Sequence, residues 1–468
     1  MQNNKSKDKS KQPSIIKRKA IKQIMMLMSN LSPANLIRMV SIGEKLLIRN
    51  KSRANEASGI KKAIKNNPAA TKLILDTLSS LSKNCKEKFI ENFFINAAIL
   101  GSQKSMKVGK KIGFGLPWFF VISPTAKCNL KCVGCYAFEY QKNSLPFEVV
   151  DRVLNEAKEL GIHFITISGG EPFIWPHLFK ILEKHNDMFF QIYTNGTLIN
   201  EQVAKRLSEL GNAAPAISVE GFEKKTDERR GKGTFQKIMK AMDNLKKHGV
   251  LFGFSATCTS KSSDVLVSDE FIDFFVKKGC KFGWYFQYIP IGRKPALNLM
   301  SSVAQRGHLR ERVSEIRNTK PIFIGDFWND GPYVHGCLAG ARPGGYFHIN
   351  CNGDVEPCVF FQFSVDNIKD KTLVDVMNSP FFQAIREAAP YCDNKNLLTP
   401  CALIDNPQVA RDTVKKYGAK PSYSGGEDFV EDPKVTKFLD DYSKEYHKIT
   451  DPIWEKEFAG HSKHWKDR

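Results

Sequence analysis

An α/β fold is predicted by three observations. Six apolar, strand-like runs recur between residues 116 and 300, and five amphipathic helical stretches lie between them. Every chemically unusual motif in that span falls where a strand ends. The alternation predicts a parallel sheet that closes part of a barrel, a partial (β/α)6 TIM barrel whose working face lies at the strand C-termini. A basic, largely helical segment precedes it, and a small cysteine-bearing extension follows.

The basic segment, residues 1–115, comes first. The chain has 468 residues and a net charge of +21, and 24 Lys and Arg against 6 Asp and Glu place +18 of it in this segment. The first 20 residues are Lys-rich and low in complexity, which predicts disorder. From 21 to 110 the pattern is helical. Ile24, Met25, Leu27, Met28 and Leu31 open it, and Ser32-Pro33 reads as an N-cap with Pro at the first helical position. Leu36, Ile37, Met39, Val40, Leu46, Leu47 and Ile48 continue the apolar face, and Phe89–Leu100 forms a second amphipathic stretch. Such helices either pack on the body with their lysines solvated, or also touch a membrane surface or a lipid substrate through residues 21–110. A charge of this sign suits an anionic membrane, RNA or an acidic protein. Aromatic residues cluster only at Phe89–Phe94, which gives little for base stacking, and DNA is not an expected partner.

No apolar run reaches 18 residues, and no secretory signal is read at the amino terminus. The expected location is the cytoplasm, or the membrane periphery if the basic segment docks there. In a reducing compartment the eleven cysteines are expected as metal ligands or buried thiols, not disulfides.

In the barrel, residues 116–300, strands are expected at Trp118–Ile122, Phe164–Ile167, Phe189–Tyr193, Ala216–Val219, Leu251–Ala256 and Phe282–Tyr288. Helices are expected at Pro146–Leu160, Pro176–His185, Glu201–Leu210, Phe235–His248 and Asp269–Lys278. Residues 301–335 read as a connector, 336–410 as the extension and 411–468 as a helical tail. Within the extension, Gly345–Cys358 reads as a β-hairpin with Asn352-Gly353 as a tight I′ turn.

After the first strand come Cys128, Cys132 and Cys135, spaced C-x3-C-x2-C. Three thiolates leave the fourth iron of a cubane cluster free to bind a ligand, a catalytic arrangement. A zinc site completed by a His or a distant Cys is the alternative. After the second strand comes Ser168-Gly169-Gly170-Glu171-Pro172, where two glycines allow close backbone approach and a carboxylate suits an ammonium group.

These motifs in this order resemble the radical SAM superfamily over residues 116–300. The resemblance implies that Cys128, Cys132 and Cys135 hold a [4Fe–4S] cluster whose open iron chelates S-adenosylmethionine (SAM). Reductive cleavage would then give a 5′-deoxyadenosyl radical that abstracts hydrogen from substrate. It also implies SAM contacts at Gly169, Gly170, Glu171, Asn195, Ser218, Glu220, Arg230 and Ile289, with Arg229 as competitor to Arg230, and a flavodoxin- or ferredoxin-type electron donor. One departure stands out. The family usually has an aromatic residue just before the third cysteine; here it is Gly134, and Tyr136 follows instead.

Further on, Cys337, Gly353 and Cys358 form C-x15-G-x4-C, which resembles the opening of the SPASM and twitch extensions. The resemblance implies an auxiliary [4Fe–4S] cluster on Cys337, Cys358 and Cys401, with Cys392 as fourth ligand and Cys351 as competitor. A zinc-stapled loop region is the alternative. Cys85, Cys258 and Cys280 read as buried thiols. His335 and His348 lie where they could ligate or donate a proton. The run Asp326-Phe327-Trp328-Asn329-Asp330 either lines the substrate pocket or packs as an aromatic loop. The expected function is therefore a radical SAM oxidoreductase or C–H functionalising enzyme, working anaerobically on a peptide, a protein or a membrane lipid. RNA modification and a non-catalytic zinc-stapled binding protein are the alternatives.

Overall fold

The computed structural model describes residues 64–137, 140 and 143–458, with Ser32, Ala34, Leu36, Ile37, Arg38, Ser41, Ser58, Lys61 and Lys62. The expected helix around Ile24–Leu31 and most of the apolar face from Met39 to Ile48 lie outside these residues. Leu36 is buried in a small apolar cluster with Ile64, Leu78, Ile90 and Ile95, apart from the main core.

Helix α1 (Pro68–Ser80) is capped by Asn67, whose side chain accepts from the Ala70 N–H. Helix α2 (Lys83–Lys88) runs without a break through a π-helical stretch (Phe89–Gly101) into α3 (Ser102–Ile112). A π-helix of this length is unusual. Here two buried asparagines four residues apart pin the stretch to the loop before the third strand. Asn92 donates to the carbonyls of Asn186 and Met188, and Asn96 donates to that of Asp187.

The barrel strands are β1 (Phe119–Ile122), β2 (Phe164–Ile167), β3 (Phe189–Thr194), β4 (Ala213–Val219), β5 (Gly253–Cys258) and β6 (Phe282–Gln287). Between them lie α4 (Phe147–Leu160), α5 (Leu178–Lys184), α6 (Glu201–Leu210), α7 (Glu223–Arg230), α8 (Thr234–Lys247) and α9 (Asp269–Lys278). All five expected helices are present, and α7 is an addition in the loop after β4. The strands pair in parallel in sequence order. Among them Phe119 stands opposite Phe164, and Phe164 opposite Phe189.

The stretch read as a connector folds into α10 (Val303–Thr319) and a seventh strand, β7 (Phe323–Asp326), parallel to β6. Its charged face hid the short run Phe323-Ile324, so only α10, with its Ser302–Gln305 capping box, left a readable signal.

On the other edge, β8 (His348–Ile349) pairs in parallel with β1 and antiparallel with β9 (Asp354–Glu356). The hairpin is the expected one, but its turn is not a two-residue I′ turn. Asn350 and Asp354 bond across a three-residue loop, Cys351–Gly353, and among the loop residues only Gly353, at φ 91°, is left-handed. A type I′ turn needs positive φ at both central residues, and Asn352 does not supply it. Helix α11 (Pro433–Ile453) in the C-terminal region packs against α10. Among the described residues, no helix is long and apolar enough to cross a membrane.

Candidate functional site

The three cysteines sit on the loop after β1, at the strand C-terminal face, and line one cavity of about 1340 Å³. The turn after β2 fixes that loop. Gly170 N–H donates to the Thr125 carbonyl (2.8 Å), and Glu171 N–H donates to that of Lys127 (2.9 Å). Gly169 is left-handed (φ 110°), and a Cβ there would stand 2.5 Å from Thr125 O; one at Gly170 would stand 2.3 Å from Lys127 O. The close approach that the glycines allow is thus to the cysteine loop itself.

Glu171 is fully buried and turned away from the cavity. Its carboxylate accepts from Thr194 Oγ1 (2.8 Å), the Asn195 N–H (2.8 Å) and the Phe173 N–H (3.1 Å). Burial pushes its pKa up to about 7, against those donors. It fastens the second turn to the third. Asn195 then reaches the cysteine loop: Nδ2 donates to Asn129 Oδ1 (2.8 Å) and stands 3.8 Å from Cys128 Sγ.

The residue before the third cysteine, Gly134, has φ 64°, and a Cβ there would lie 2.8 Å from the Tyr288 ring. The place where the family usually carries an aromatic is filled by Tyr288 from the end of β6. Tyr136 points elsewhere, its hydroxyl 2.6 Å from Ser168 Oγ.

Arg229 and Arg230 end α7, and both reach Glu220, which is 2% exposed just beyond β4. Arg229 Nη1 is 2.6 Å and Arg230 Nη2 2.5 Å from Glu220 Oε1. Arg229 also donates through Nε to the Val133 carbonyl (3.1 Å), so it holds the cysteine loop as well. Ser218, Asn195, Arg229, Arg230 and Ile289 line the cavity with the thiols. Burial pushes the Cys128 thiol up to about 11 and raises Cys135. A bound metal must therefore supply the charge that displaces the thiol protons. Three thiols, an amide and a backbone N–H aimed at Cys128 Sγ, and two arginines on one wall fit an iron–sulfur cluster beside a zwitterionic ligand.

In the extension Cys337, Cys358 and Cys401 all lie within electrostatic reach of Tyr391, although among the described residues no three Cys, His, Asp or Glu side chains are arranged to hold a single metal ion. Cys337 lies close enough to influence both other thiols, and the Tyr391 hydroxyl meets Cys337 while donating to the Ile385 carbonyl (3.3 Å). Cys392 Sγ faces Asn396 O (3.5 Å) and Thr399 Oγ1 (3.8 Å), but it shares with Cys401 the charge of Asp405. Cys351 lies in the hairpin loop, packed with Ala137 and Tyr140. Cys85, Cys258 and Cys280 are buried.

Two polar clusters escaped the sequence. Ser123 Oγ lies 2.7 Å from His348 Nε2, and His348 Nδ1 lies 2.6 Å from Glu356 Oε2, all buried. Tyr140 and Asn350 also donate to Glu356, so this relay fastens the hairpin to β1. Only the alternation of polar His348, Asn350 and Glu356 in an apolar hairpin hinted at it. In the second cluster, the wholly buried Arg306 of α10 holds Asp405 through both terminal guanidinium nitrogens. Of the expected aromatic run, Phe327 and Asp330 line the cavity; Asp326 is buried and bonded to Asn329.

A family model described as the Radical SAM superfamily matches residues 122–258, and one described as an iron-sulfur cluster-binding domain (SPASM) matches residues 337–402. The chain belongs to the radical SAM superfamily. This radical SAM enzyme carries a SPASM extension, and its cofactors are SAM and [4Fe–4S] clusters, an auxiliary one included. It is 24% identical over 324 residues to the AdoMet-dependent heme synthase of Oleidesulfovibrio alaskensis, covering 59% of this chain and 80% of that protein. It is 26% identical over 299 residues to a cysteine-type anaerobic sulfatase-maturating enzyme of Clostridium novyi, covering 54% and 77%. The crystal structure of Streptococcus suis SuiB bound to S-adenosylmethionine aligns with a TM-score of 0.51 at 22% identity, over 61% of this chain and 71% of that one, which is a shared fold.

Proposed function

We propose that this radical SAM enzyme takes a hydrogen atom from the hydrocarbon part of a membrane lipid. The observation that carries the reading is the cavity: its walls are mostly aromatic and aliphatic, and it runs from the cysteine triad to the N-terminal helices. At about 1340 Å³ it exceeds the roughly 300–1,000 Å³ of ordinary ligand pockets.

Cys128, Cys132 and Cys135 would hold the catalytic cluster. When bound and reduced, that cluster supplies the electron that splits SAM into methionine and a 5′-deoxyadenosyl radical. The backbone of Gly169 and Gly170 with Asn195 would border the amino end of SAM, Ser218 and either arginine its carboxylate or ribose, and Ile289 its adenine. Glu171 and Glu220 act one step back, Glu171 by fixing the turns and Glu220 by aiming the arginines. The apolar wall excludes water from the radical. Cys337, Cys358 and Cys401 would hold the auxiliary cluster, with Cys392 as the fourth ligand because it shares the Asp405 neighbourhood. A flavodoxin- or ferredoxin-type donor would deliver the electron.

A second reading, a protein or peptide substrate, is favoured by the name of the sulfatase-maturating relative, while the other relative is named for making heme. Peptide backbone is costly to place against such a wall, because each unpaired N–H or C=O there costs on the order of 1–3 kcal/mol. The test is anaerobic reconstitution, with about eight irons per chain expected for two cubanes, followed by reduction with SAM in the presence of lipid vesicles or of peptides. Lipid-stimulated 5′-deoxyadenosine supports the proposal, peptide-only stimulation replaces it, and colourless zinc-bound protein ends both readings.

A further inference from the structure

The cavity does not stop at the cysteine face. It is also lined by the residues that open the strands at the opposite end: Phe119, Phe164, Phe189, Phe282 and Phe323. Beyond them it reaches Phe89, Phe93 and Phe94 of the π-helical stretch and Leu73, Ile74 and Leu78 of α1. The rings there interlock, with Phe93 5.4 Å from Phe164 and Phe89 5.5 Å from Phe189, centre to centre.

Layers of large branched side chains ordinarily fill the interior of a β/α barrel. In this barrel several cavity-lining positions are small: Thr166, Ala214, Ser218, Ser255 and Ala256. The result is a mainly apolar cavity along the barrel axis, with the SAM-site groups at one end and aromatic rings, beside Thr77, Ser102 and Lys281, at the other. The helical segment that borders this far end is basic. Residues 64–115 hold nine lysines against three carboxylates. Phe94 (40% exposed) and Met106 (52% exposed) stand out among them. A cavity that is mainly apolar and ends among aromatic rings beneath a basic helical segment suits the surface of an anionic bilayer.

Resting on the lipid reading above, we propose that an anionic membrane lipid threads an acyl tail, methyl end first, into the barrel from this opposite end, leaving its headgroup among the lysines. The far end of the tail then lies at the cysteine triad, so the bond attacked is close to the terminal methyl and distant from the headgroup. The step balances without another reagent. One electron from the reductant splits SAM into methionine and the 5′-deoxyadenosyl radical. A C–H bond of the acyl tail then breaks homolytically, its hydrogen bonds to C5′ to give 5′-deoxyadenosine, and the unpaired electron stays on the acyl carbon.

The experiment uses holoenzyme, SAM, dithionite and phosphatidylglycerol vesicles whose palmitoyl groups carry deuterium either on the last three carbons (tail-labelled) or on all the other chain carbons (head-labelled), with mass analysis of the 5′-deoxyadenosine. Threading predicts mono-deuterated product from the tail-labelled vesicles, at least about tenfold above that from the head-labelled ones. Label arriving chiefly from the head-labelled vesicles would overturn the direction of threading while leaving the lipid reading intact. Undeuterated 5′-deoxyadenosine from both vesicles overturns the lipid substrate but not the radical chemistry. No 5′-deoxyadenosine at all removes the functional reading on which the inference stands.

Discussion

The two cysteine groups share ligand chemistry but are held in different ways. Cys128, Cys132 and Cys135 lie on a loop that is kept in place by hydrogen bonds from neighbouring turns, and Cys128 is exposed at the edge of a cavity. Cys358 and Cys401 pack against the main hydrophobic core, and Asp405, four residues past Cys401, is clamped by the buried Arg306. A ligand loop that can face a cavity leaves room for an exchangeable molecule on the metal. A ligand set packed against the core gains rigidity from its neighbours. Placement, more than cysteine spacing, separates a site for chemistry from a site for electron storage or support.

The strongest way to break this comparison is to remove one thiol from each group. Cys132→Ala is expected to lower SAM cleavage by at least about 1,000-fold and to leave about four irons per chain. Cys358→Ala is expected to lose about the same iron, but to lower the denaturation midpoint more and SAM cleavage less. Iron content, thermal unfolding and 5′-deoxyadenosine formation separate the two. Equal loss of SAM cleavage in both variants would show that the groups do not divide their work this way.

The next test concerns the clamp. Arg306 and Asp405 are both 0% exposed, and the Arg306 guanidinium also lies 3.9 Å above the Tyr446 ring. Asp405 in turn accepts from the Cys401 N–H (3.0 Å). Removing one member of a buried pair leaves an uncompensated charge, at about 3–5 kcal/mol. Arg306→Ala is therefore expected to destabilise the protein by that amount in denaturant titration. It should also loosen the auxiliary cluster, seen as faster iron loss to a chelator, while the iron held at the triad stays.

Much of this architecture is legible in the sequence because the barrel obeys local rules. Each expected strand is a mainly apolar run, and the helices Glu201–Leu210 and Asp269–Lys278 have the expected limits because Asn200 and Ser268 cap them and Gly211 and Gly279 end them. The cysteine motifs are equally local. What stayed hidden depends on contacts between distant residues. Glu171 looks like a ligand group, and only the fold turns it toward Thr194 and Asn195. Tyr288 fills the space at Gly134 from 154 positions away. The Ser123–His348–Glu356 relay spans more than 200 residues. The cavity along the barrel axis has no motif at all, since its small lining residues are scattered over different strands.

The smallest expected effect concerns Glu171, whose carboxylate supports the open cysteine loop through the neighbouring turns. Its carboxyl, at about 7 in the folded protein against 4.5 ordinarily, binds its proton more tightly when folded. The stability this lends is fully present below about pH 4.5 and is lost as pH rises through about 7. Glu171→Gln carries no such proton, so its stability should be flatter over that window. The amide also puts an N–H₂ group opposite one of the donors that Glu171 satisfies, at a cost of about 1–3 kcal/mol. That cost should be largest near pH 5 and shrink toward pH 8, and the KM for SAM should rise with iron content unchanged. A pH-independent difference between the two proteins would mean that Glu171 is ionised throughout. Its role would then be that of a buried anion facing the cluster loop, and the contrast between a turn held by neutral hydrogen bonds and a clamp held by charge would disappear.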